Sequence, residues 1–238
     1  MKIAIIGYGK MGKAIEQIAL RKGHNIVLKI TSANTHECTP LNLKQADVAI
    51  EFTGPDTVIQ NLRLCATAGI PVVCGSTGWY KALPEIEQMF NDRQGALLHA
   101  SNFSVGVNIF FEINRRLAEL MQDNTAYTVS LEEIHHTAKK DSPSGTAISL
   151  ADQIIQSCAR YRSWTSNAPS TNDSILIESK RIDPAPGTHH VQWKSAIDDI
   201  EIIHTAHNRE GFAAGAVIAA EFLYGKKGVY TMKDVLGL

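Results

Sequence analysis

The chain has 238 residues, 44% hydrophobic and 20% charged, with a formal net charge of −1 at pH 7. That length is long for one compact domain and short for two full ones, and the apolar content supports a sizeable core. Acids and bases are intermixed and nearly balanced, which argues against nucleic acid or a membrane surface as the primary partner.

The chain opens with a strand, Ile3 to Ile6, and a glycine turn, Gly7-Tyr8-Gly9-Lys10-Met11-Gly12. Ala14, Ile15, Ile18 and Ala19 then recur at helical spacing. Gly23 ends that helix, and Ile26 to Ile30 reads as a second strand. A G-x-G-x-x-G between a strand and a helix is the context that binds a dinucleotide. Gly7 permits the tight turn, Gly9 lets a pyrophosphate approach the backbone, and Gly12 lets the helix pack on the strand. The helix N-terminus faces the phosphates. An acid at the end of the second strand would hold a ribose 2′-hydroxyl. Here stand Lys29, Thr31, Ser32 and Asn34 instead, and the first acid, Glu37, comes late. Hydroxyls and cations, Lys10 among them, suit a 2′-phosphate, so the reading leans to NADPH over NADH. The glycines interrupt the first apolar run at once, so it is not read as a signal peptide, and no later run spans a bilayer.

Three more strands follow, within "ADVAIEFTGP", "IPVVCGSTGW" and "GALLHASNFSVGVN", with residues 56–68 and 81–91 of helical composition between them. In an open parallel sheet, ligands lie beyond the carboxyl ends of the strands. Those ends carry Phe52, Gly75-Ser76-Thr77 and Ala100-Ser101-Asn102-Phe103. They offer small polar groups and an aromatic wall suited to a nicotinamide ring.

From residue 107 the pattern changes. "VNIFFEINRRLAELMQ" is an amphipathic helix, and "YTVSLEEIHH", "SILIESKRID", "THHVQWKSA" and "DIEIIHTAHN" are strand-like. They form no repeating β-α unit, so a separate α+β domain with a sheet of about four strands is expected. Its second helix is "SGTAISLADQIIQSCARY", capped by Ser142-Pro143 or Ser144, and "YRSWTSNAPSTND" reads as a polar connection. The tail from Gly211 holds an apolar helix and a final strand-like piece that returns to the first domain. The expected fold class is α/β: a Rossmann-like nucleotide-binding domain, residues 1–103 and 209–238, with an inserted α+β substrate and oligomerisation domain, residues 104–208, carrying a mixed sheet. Cys38, Cys65, Cys74 and Cys158 lack C-x-x-C spacing. They read as reduced thiols of a cytoplasmic protein, and no metal site is expected.

The segment "EEIHHTAKKDSPSGTA", residues 132–147, gathers the chemistry. His135 and His136 end a strand, so their side chains point to opposite sides. Lys139 follows in a loop. Gly145 and Thr146 open a helix whose free N–H groups make an anion site. A cation, histidines and a helix N-terminus suit a small dianionic substrate. A histidine titrates near neutral pH and can deliver a proton during a reduction. Adjacent histidines beside a lysine are poor metal-ligand geometry.

This stretch resembles the signature of the 4-hydroxy-tetrahydrodipicolinate reductase family, long called dihydrodipicolinate reductase. The likeness extends over nearly the whole chain, through the glycine turn, "EFTGP", "GSTGW", "SNFSVGVN", "PGTHHV" and "HNREGFAAGAV". The resemblance implies a cytoplasmic homotetramer of lysine biosynthesis by the diaminopimelate route, built through the second domain. It implies hydride transfer from NADPH or NADH to ring C4 of a cyclic dicarboxylate, protonation by His135 and assistance by Lys139. It places substrate contacts at His136, Gly145 and Thr146. Nucleotide contacts fall in Gly7 to Gly12, Gly75 to Thr77 and Ala100 to Phe103, and Arg209 stands where the family often has a basic residue near the domain junction. The chain departs from some members in a glycine turn one residue shorter, in the missing acid after the second strand, and in a short stretch around residues 30–45. Rival readings are a catalytically inactive NADP-binding sensor and another two-domain dehydrogenase.

Overall fold

A computed structural model describes residues 1–168, 171–208 and 210–238. Arg209 lies outside them. The chain divides into two compact units, Met1–Val105 with Glu210–Leu238, and Gly106–Arg209.

The first unit starts with β1 (Lys2–Ile6), α1 (Lys10–Arg21), β2 (Asn25–Ile30), α2 (Pro40–Leu43), β3 (Val48–Glu51), α3 (Val58–Ala68), β4 (Val72–Cys74), α4 (Leu83–Asp92) and β5 (Ala96–His99). All four residues of β3 and all three of β4 are buried, as expected of strands covered on both faces of a parallel sheet. Between β2 and β3, Thr35–Glu37 forms a 3-10 turn, and the Thr39 side chain accepts from the Asn42 N–H to cap α2. The sequence pattern anticipates neither, because each is a single turn too short to show periodicity.

The second unit comprises α5 (Val105–Met121), β6 (Thr128–His135), α6 (Gly145–Ser157), β7 (Ser163–Thr165), β8 (Ser174–Arg181), β9 (Gly187–Lys194) and β10 (Asp199–Ala206). Its sheet has five strands in the order β10-β9-β6-β8-β7. The β6–β9 and β9–β10 pairs are antiparallel, and β6–β8 and β7–β8 are parallel. The fifth strand is β7, three residues inside the expected polar connection; within that connection Pro169 and Ser170 lie outside the described residues. Strict alternation along β6 and β9 buries Val129, Leu131, Val191 and Trp193 on one face, where Phe110, Ala118 and Met121 of α5 and Leu150 and Ile154 of α6 cover them.

The chain then returns to the first unit through α7 (Glu210–Leu223), β11 (Gly228–Tyr230) and α8 (Met232–Leu236). The expected final strand-like piece is thus β11, and a short helix follows it. Thr231 and Asp234 close a capping box that starts α8. The first unit's sheet has the order β11-β5-β4-β3-β1-β2, with every pair parallel. The order reverses between β1 and β3, which is where such sheets bind ligands. No helix among the described residues is long and apolar enough to cross a membrane.

α7 packs against this sheet at close range. A Cβ on Gly215 would stand 1.7 Å from the Phe103 carbonyl oxygen. Gly215→Ala should therefore destabilise the first unit by about 1–3 kcal/mol through overpacking. A urea titration checks this, since an unchanged midpoint would mean that helix and loop separate freely.

Candidate active site

Two sites take shape, one in each unit. In the first unit, Gly7 has φ +98°, a left-handed conformation, and a Cβ there would stand 2.2 Å from the Phe52 carbonyl oxygen. A Cβ on Gly12 would stand 2.5 Å from the Gly7 oxygen, so α1 sits directly on the turn. Gly9 is the N-cap of α1, and nothing lies within 4 Å of where its Cβ would be. The first and third glycines thus close the turn, and the middle one leaves the helix N-terminus open. A cavity of about 820 Å³ adjoins it. Gly7, Tyr8, Gly9, Thr31, Ser32 and Phe52 line the cavity, and so do Thr35, His36, Thr53 and Asn61, which carry no signature of their own in sequence.

Lys10 and Met11 lie in the first turn of α1, with Lys10 exposed. Gly75, Ser76 and Thr77 follow β4, and Ala100, Ser101, Asn102 and Phe103 follow β5; they do not line this cavity. They stand at successive strand ends, knit to it by Phe52. The Phe52 ring lies against Gly75, where a Cβ would stand 2.2 Å from it, and its centroid is 5.6 Å from that of Phe103. Ser76 is buried, and its hydroxyl accepts from the Thr53 N–H at 2.8 Å.

The end of β2 is more constrained than its residue types suggest. The Lys29 ammonium lies 2.6 Å from Glu16 and 5.0 Å from the centre of the Tyr8 ring, so its charge is already paired. The Asn34 side-chain oxygen accepts from the Thr31 N–H and hydroxyl, and its amide donates to Glu37 at 2.7 Å. The late acid is therefore bound within its own loop.

In the second unit, β6 delivers Glu133 and His135 to the same face as the apolar core, because they are two residues apart. Beyond Val129 and Leu131 that face turns polar. Glu133 is wholly buried and His135 is 7% exposed, whereas His136, one residue on, is half-buried. The Glu133 carboxylate accepts from the Ser144 N–H at 3.0 and 3.1 Å, from the Ser179 hydroxyl at 2.8 Å and from Arg181 at 3.2 Å. Burial alone would raise this carboxyl. The bonds from Ser144 and Ser179, with His135 nearby, outweigh burial and hold it below the ordinary carboxylate value. His135 Nδ1 is 3.4 Å from Glu133, and the His189 ring of β9 stands edge-on to His135 at 5.1 Å. Burial lowers His135 below its usual value, with Glu133 partly offsetting. Burial, and then His135, push His189 down to about 4.

Ser144 caps α6: its hydroxyl accepts from the Ala147 N–H at 3.2 Å and also meets His189 Nε2 at 3.1 Å. Gly145 and Thr146 follow in the first turn, ahead of the helix's own acceptors. The Lys139 ammonium is held by Asp141 at 2.8 Å. Glu133, His135 and His189 bring potential ligand atoms within 4.8 Å of one another. Both Glu133 oxygens already accept hydrogen bonds, one of them from a guanidinium, which makes this cluster a hydrogen-bond hub and a poor cation cage. Ser179 and Arg181 lie outside every sequence motif, and Glu133, Ser144 and His189 lie within motifs that give them no part in this cluster. The period-2 alternation of β6 and β9 is the signal that finds two of them, Glu133 and His189.

Known proteins resemble this chain over nearly its whole length. Residues 1–103 match the family model described as dihydrodipicolinate reductase, N-terminus, and residues 106–236 match the one described as dihydrodipicolinate reductase, C-terminus. A 4-hydroxy-tetrahydrodipicolinate reductase of Christiangramia forsetii is 46% identical over 99% of this chain and 98% of its own length. Another, of Methanosarcina mazei, is 35% identical over 99% and 89%. The fold resembles that of a dipicolinate-bound dihydrodipicolinate reductase from Paenisporosarcina sp. TG-14, with TM-score 0.77, 19% identity and 97% of each chain covered. By the two family models and the full-length relatives together, the chain belongs to the dihydrodipicolinate reductase family.

Proposed function

We propose that the chain reduces 4-hydroxy-tetrahydrodipicolinate to tetrahydrodipicolinate with NADPH or NADH, in the diaminopimelate route of lysine biosynthesis. The observation that carries this is the cluster at the end of β6: a buried histidine, a lysine and a capped helix N-terminus converge where a small dicarboxylate would be held. Membership of the family gives that chemistry its substrate. The 4-hydroxyl leaves as water together with a proton from the neighbouring ring carbon, and a hydride and a proton then add across the double bond so formed. The open helix N-terminus at Gly9 and the adjoining cavity fit a dinucleotide, with Gly7 to Gly12, Thr31, Ser32 and Phe52 as its contacts. The strand ends at Gly75 to Thr77 and Ala100 to Phe103 complete the cofactor surface. A bound nicotinamide supplies hydride to ring C4.

The chain's own residues do the rest. The N–H groups of Gly145 and Thr146, with His136, hold the carboxylates. Lys139 exchanges Asp141 for the substrate and assists the proton. His135 protonates the carbon beside C4. Burial depresses the imidazolium of free His135, and a dianion placed beside it favours the charged form. Substrate binding thus loads the acid it needs.

NADPH is the preferred partner in this reading. Glu37 is engaged by Asn34 and Glu16 by Lys29, which leaves exposed Lys10 to meet a 2′-phosphate. The protein is placed in the cytoplasm, in keeping with four buried free thiols. The second unit is also the natural seat of a homotetramer. A groove of about 440 Å³ between α5 and β10 is lined by Ile113, Leu117, Leu120, Ile200 and Ile202, with Leu120 59% exposed.

Three measurements test these statements. Oxidation of NADPH should depend on the cyclic dicarboxylate generated by the preceding synthase, and kcat/KM with NADPH should equal or exceed that with NADH. Lys10→Ala should cost about tenfold with NADPH alone, the low end for a hydrogen bond to a charged group. No turnover with either cofactor would remove the enzyme reading, and a strong NADH preference would remove the assignment at β2. In steady-state kinetics, His135→Gln should lower kcat by about 10²–10⁴ with little change in KM. Lys139→Ala should change both constants, and His136→Gln mainly KM. A near-parental His135→Gln would reassign the proton donor. Sedimentation velocity should give the mass of four chains, and Ile113→Lys with Leu120→Lys should reduce it; a parental monomer would refute the tetramer.

A further inference from the structure

We propose that Glu133 is a positioning residue for proton transfer: it engages His135 through Nδ1, so that the proton given up is the one on Nε2. This rests on the reading of His135 as the proton donor.

The geometry is specific. His135 Nδ1 is buried and forms no aligned hydrogen bond, and the Glu133 carboxylate lies beside it at an ion-pair distance of 3.4 Å. The opposite nitrogen faces a glycine. A Cβ on Gly187 would stand 3.0 Å from His135 Nε2, so at the start of β9 only bare backbone, with no side chain, lies beside that edge of the ring. One nitrogen is thus backed by an anion and the other meets a glycine in place of a side chain. A neutral imidazole that has given up its Nε2 proton retains Nδ1–H, the tautomer a carboxylate on that side stabilises.

Glu133 can hold this orientation because it cannot itself move. Its oxygens are fixed by Ser144 at the start of α6 and by Ser179 and Arg181 of β8. The same carboxylate therefore sets the ring of His135 and anchors the first turn that carries Gly145 and Thr146. The charged and titratable groups facing His135 are Glu133 from its own strand, Lys139 and Asp141 from the following loop, Arg181 from β8 and His189 from β9. Lys139 and Arg181 disfavour the imidazolium, and Asp141 and Glu133 favour it. His189 is uncharged at neutral pH. Removing the Glu133 charge leaves the cations less opposed. His135 then titrates lower, and the limb on which kcat/KM falls with rising pH moves to lower pH.

Nitrogen-15 NMR of the imidazoles and pH profiles of kcat/KM test this in the full-length protein. In the parent, neutral His135 is expected as the Nδ1–H tautomer; finding Nε2–H overturns the proposal, whatever the variants do. In E133Q, His135 should titrate at least about one unit lower, as for loss of an opposite charge at this range, and the kinetic limb should move with it. E133D keeps the charge, so the limb should stay near its parental position while kcat falls. A folded E133Q that loses rate equally at every pH, with His135 titrating as in the parent, would show a merely structural residue and refute the proposal. If E133Q fails to fold, the parental tautomer and E133D decide. Failure of the parent to turn over would refute the proposed activity instead, and the tautomer would still report on Glu133 separately.

Discussion

A carboxylate with no solvent exposure governs the second unit. Burying an ion costs several kcal/mol unless its lone pairs are met by donors. Glu133 meets that condition with donors from three places: the residue that begins α6, a hydroxyl of β8 and a guanidinium of β8. Those donors come together only when β6 pairs with β8 in register, Glu133 opposite Ser179, and when Ser144 caps α6. The pairing register, the helix start and the polar site are thus one constraint. Loss of any donor leaves the charge underpaired in a place water does not reach, which is more damaging than loss of an exposed ion pair such as Arg63–Glu85.

The first unit is ordered by a contact of another kind. Phe52, just past β3, is crowded by backbone on both sides, at Gly7 and at Gly75. Side chains are absent where the chain approaches the aromatic residue, so three strand ends can draw close around it. Fixed peptide groups and an apolar wall result, with the charged groups nearby turned toward one another, as in Tyr8, Glu16 and Lys29. A surface built this way presents backbone and shape more than free charge.

How much of this is legible in the sequence depends on the range of the interaction involved. The glycine turn and the segment from Glu133 to Ala147 are local patterns, and the structure places them on the strand ends and the helix start that local chemistry requires. Buried strands and amphipathic helices follow from period, so the α/β and α+β halves are readable, down to the alternation of β6. The misses are non-local or very short. β7 is three residues whose only reason to be a strand is the open edge of β8. The pairing of Lys29 with Glu16 spans a helix and a strand, and it reverses the simplest inference from residue type, that a lysine at the end of β2 is free for a phosphate. His189 and Arg181 reach Glu133 only through sheet register, across 56 and 48 residues, a relation no linear pattern contains.

The same face of one sheet carries both core and chemistry, and its grading explains why the histidine is where it is. Near the start of β6 the inward residues are Val129 and Leu131, packed against Val191 and Trp193. Two residues further inward positions hold Glu133 and His135, beside His189. The apolar end makes the surroundings poor in water, which depresses both imidazoles. The carboxylate at the boundary partly restores the charge of His135, the nearer of the two, and much less that of His189, which stays neutral. Two histidines of identical intrinsic chemistry are thereby separated: one responsive to the charge of whatever lies beside it, the other locked as a neutral hydrogen-bonding partner of the Ser144 cap. That separation rests on burial, on the repulsion of His189 by His135, and on the distance of each ring to the same carboxylate, 3.4 against 3.8 Å, across two neighbouring strands.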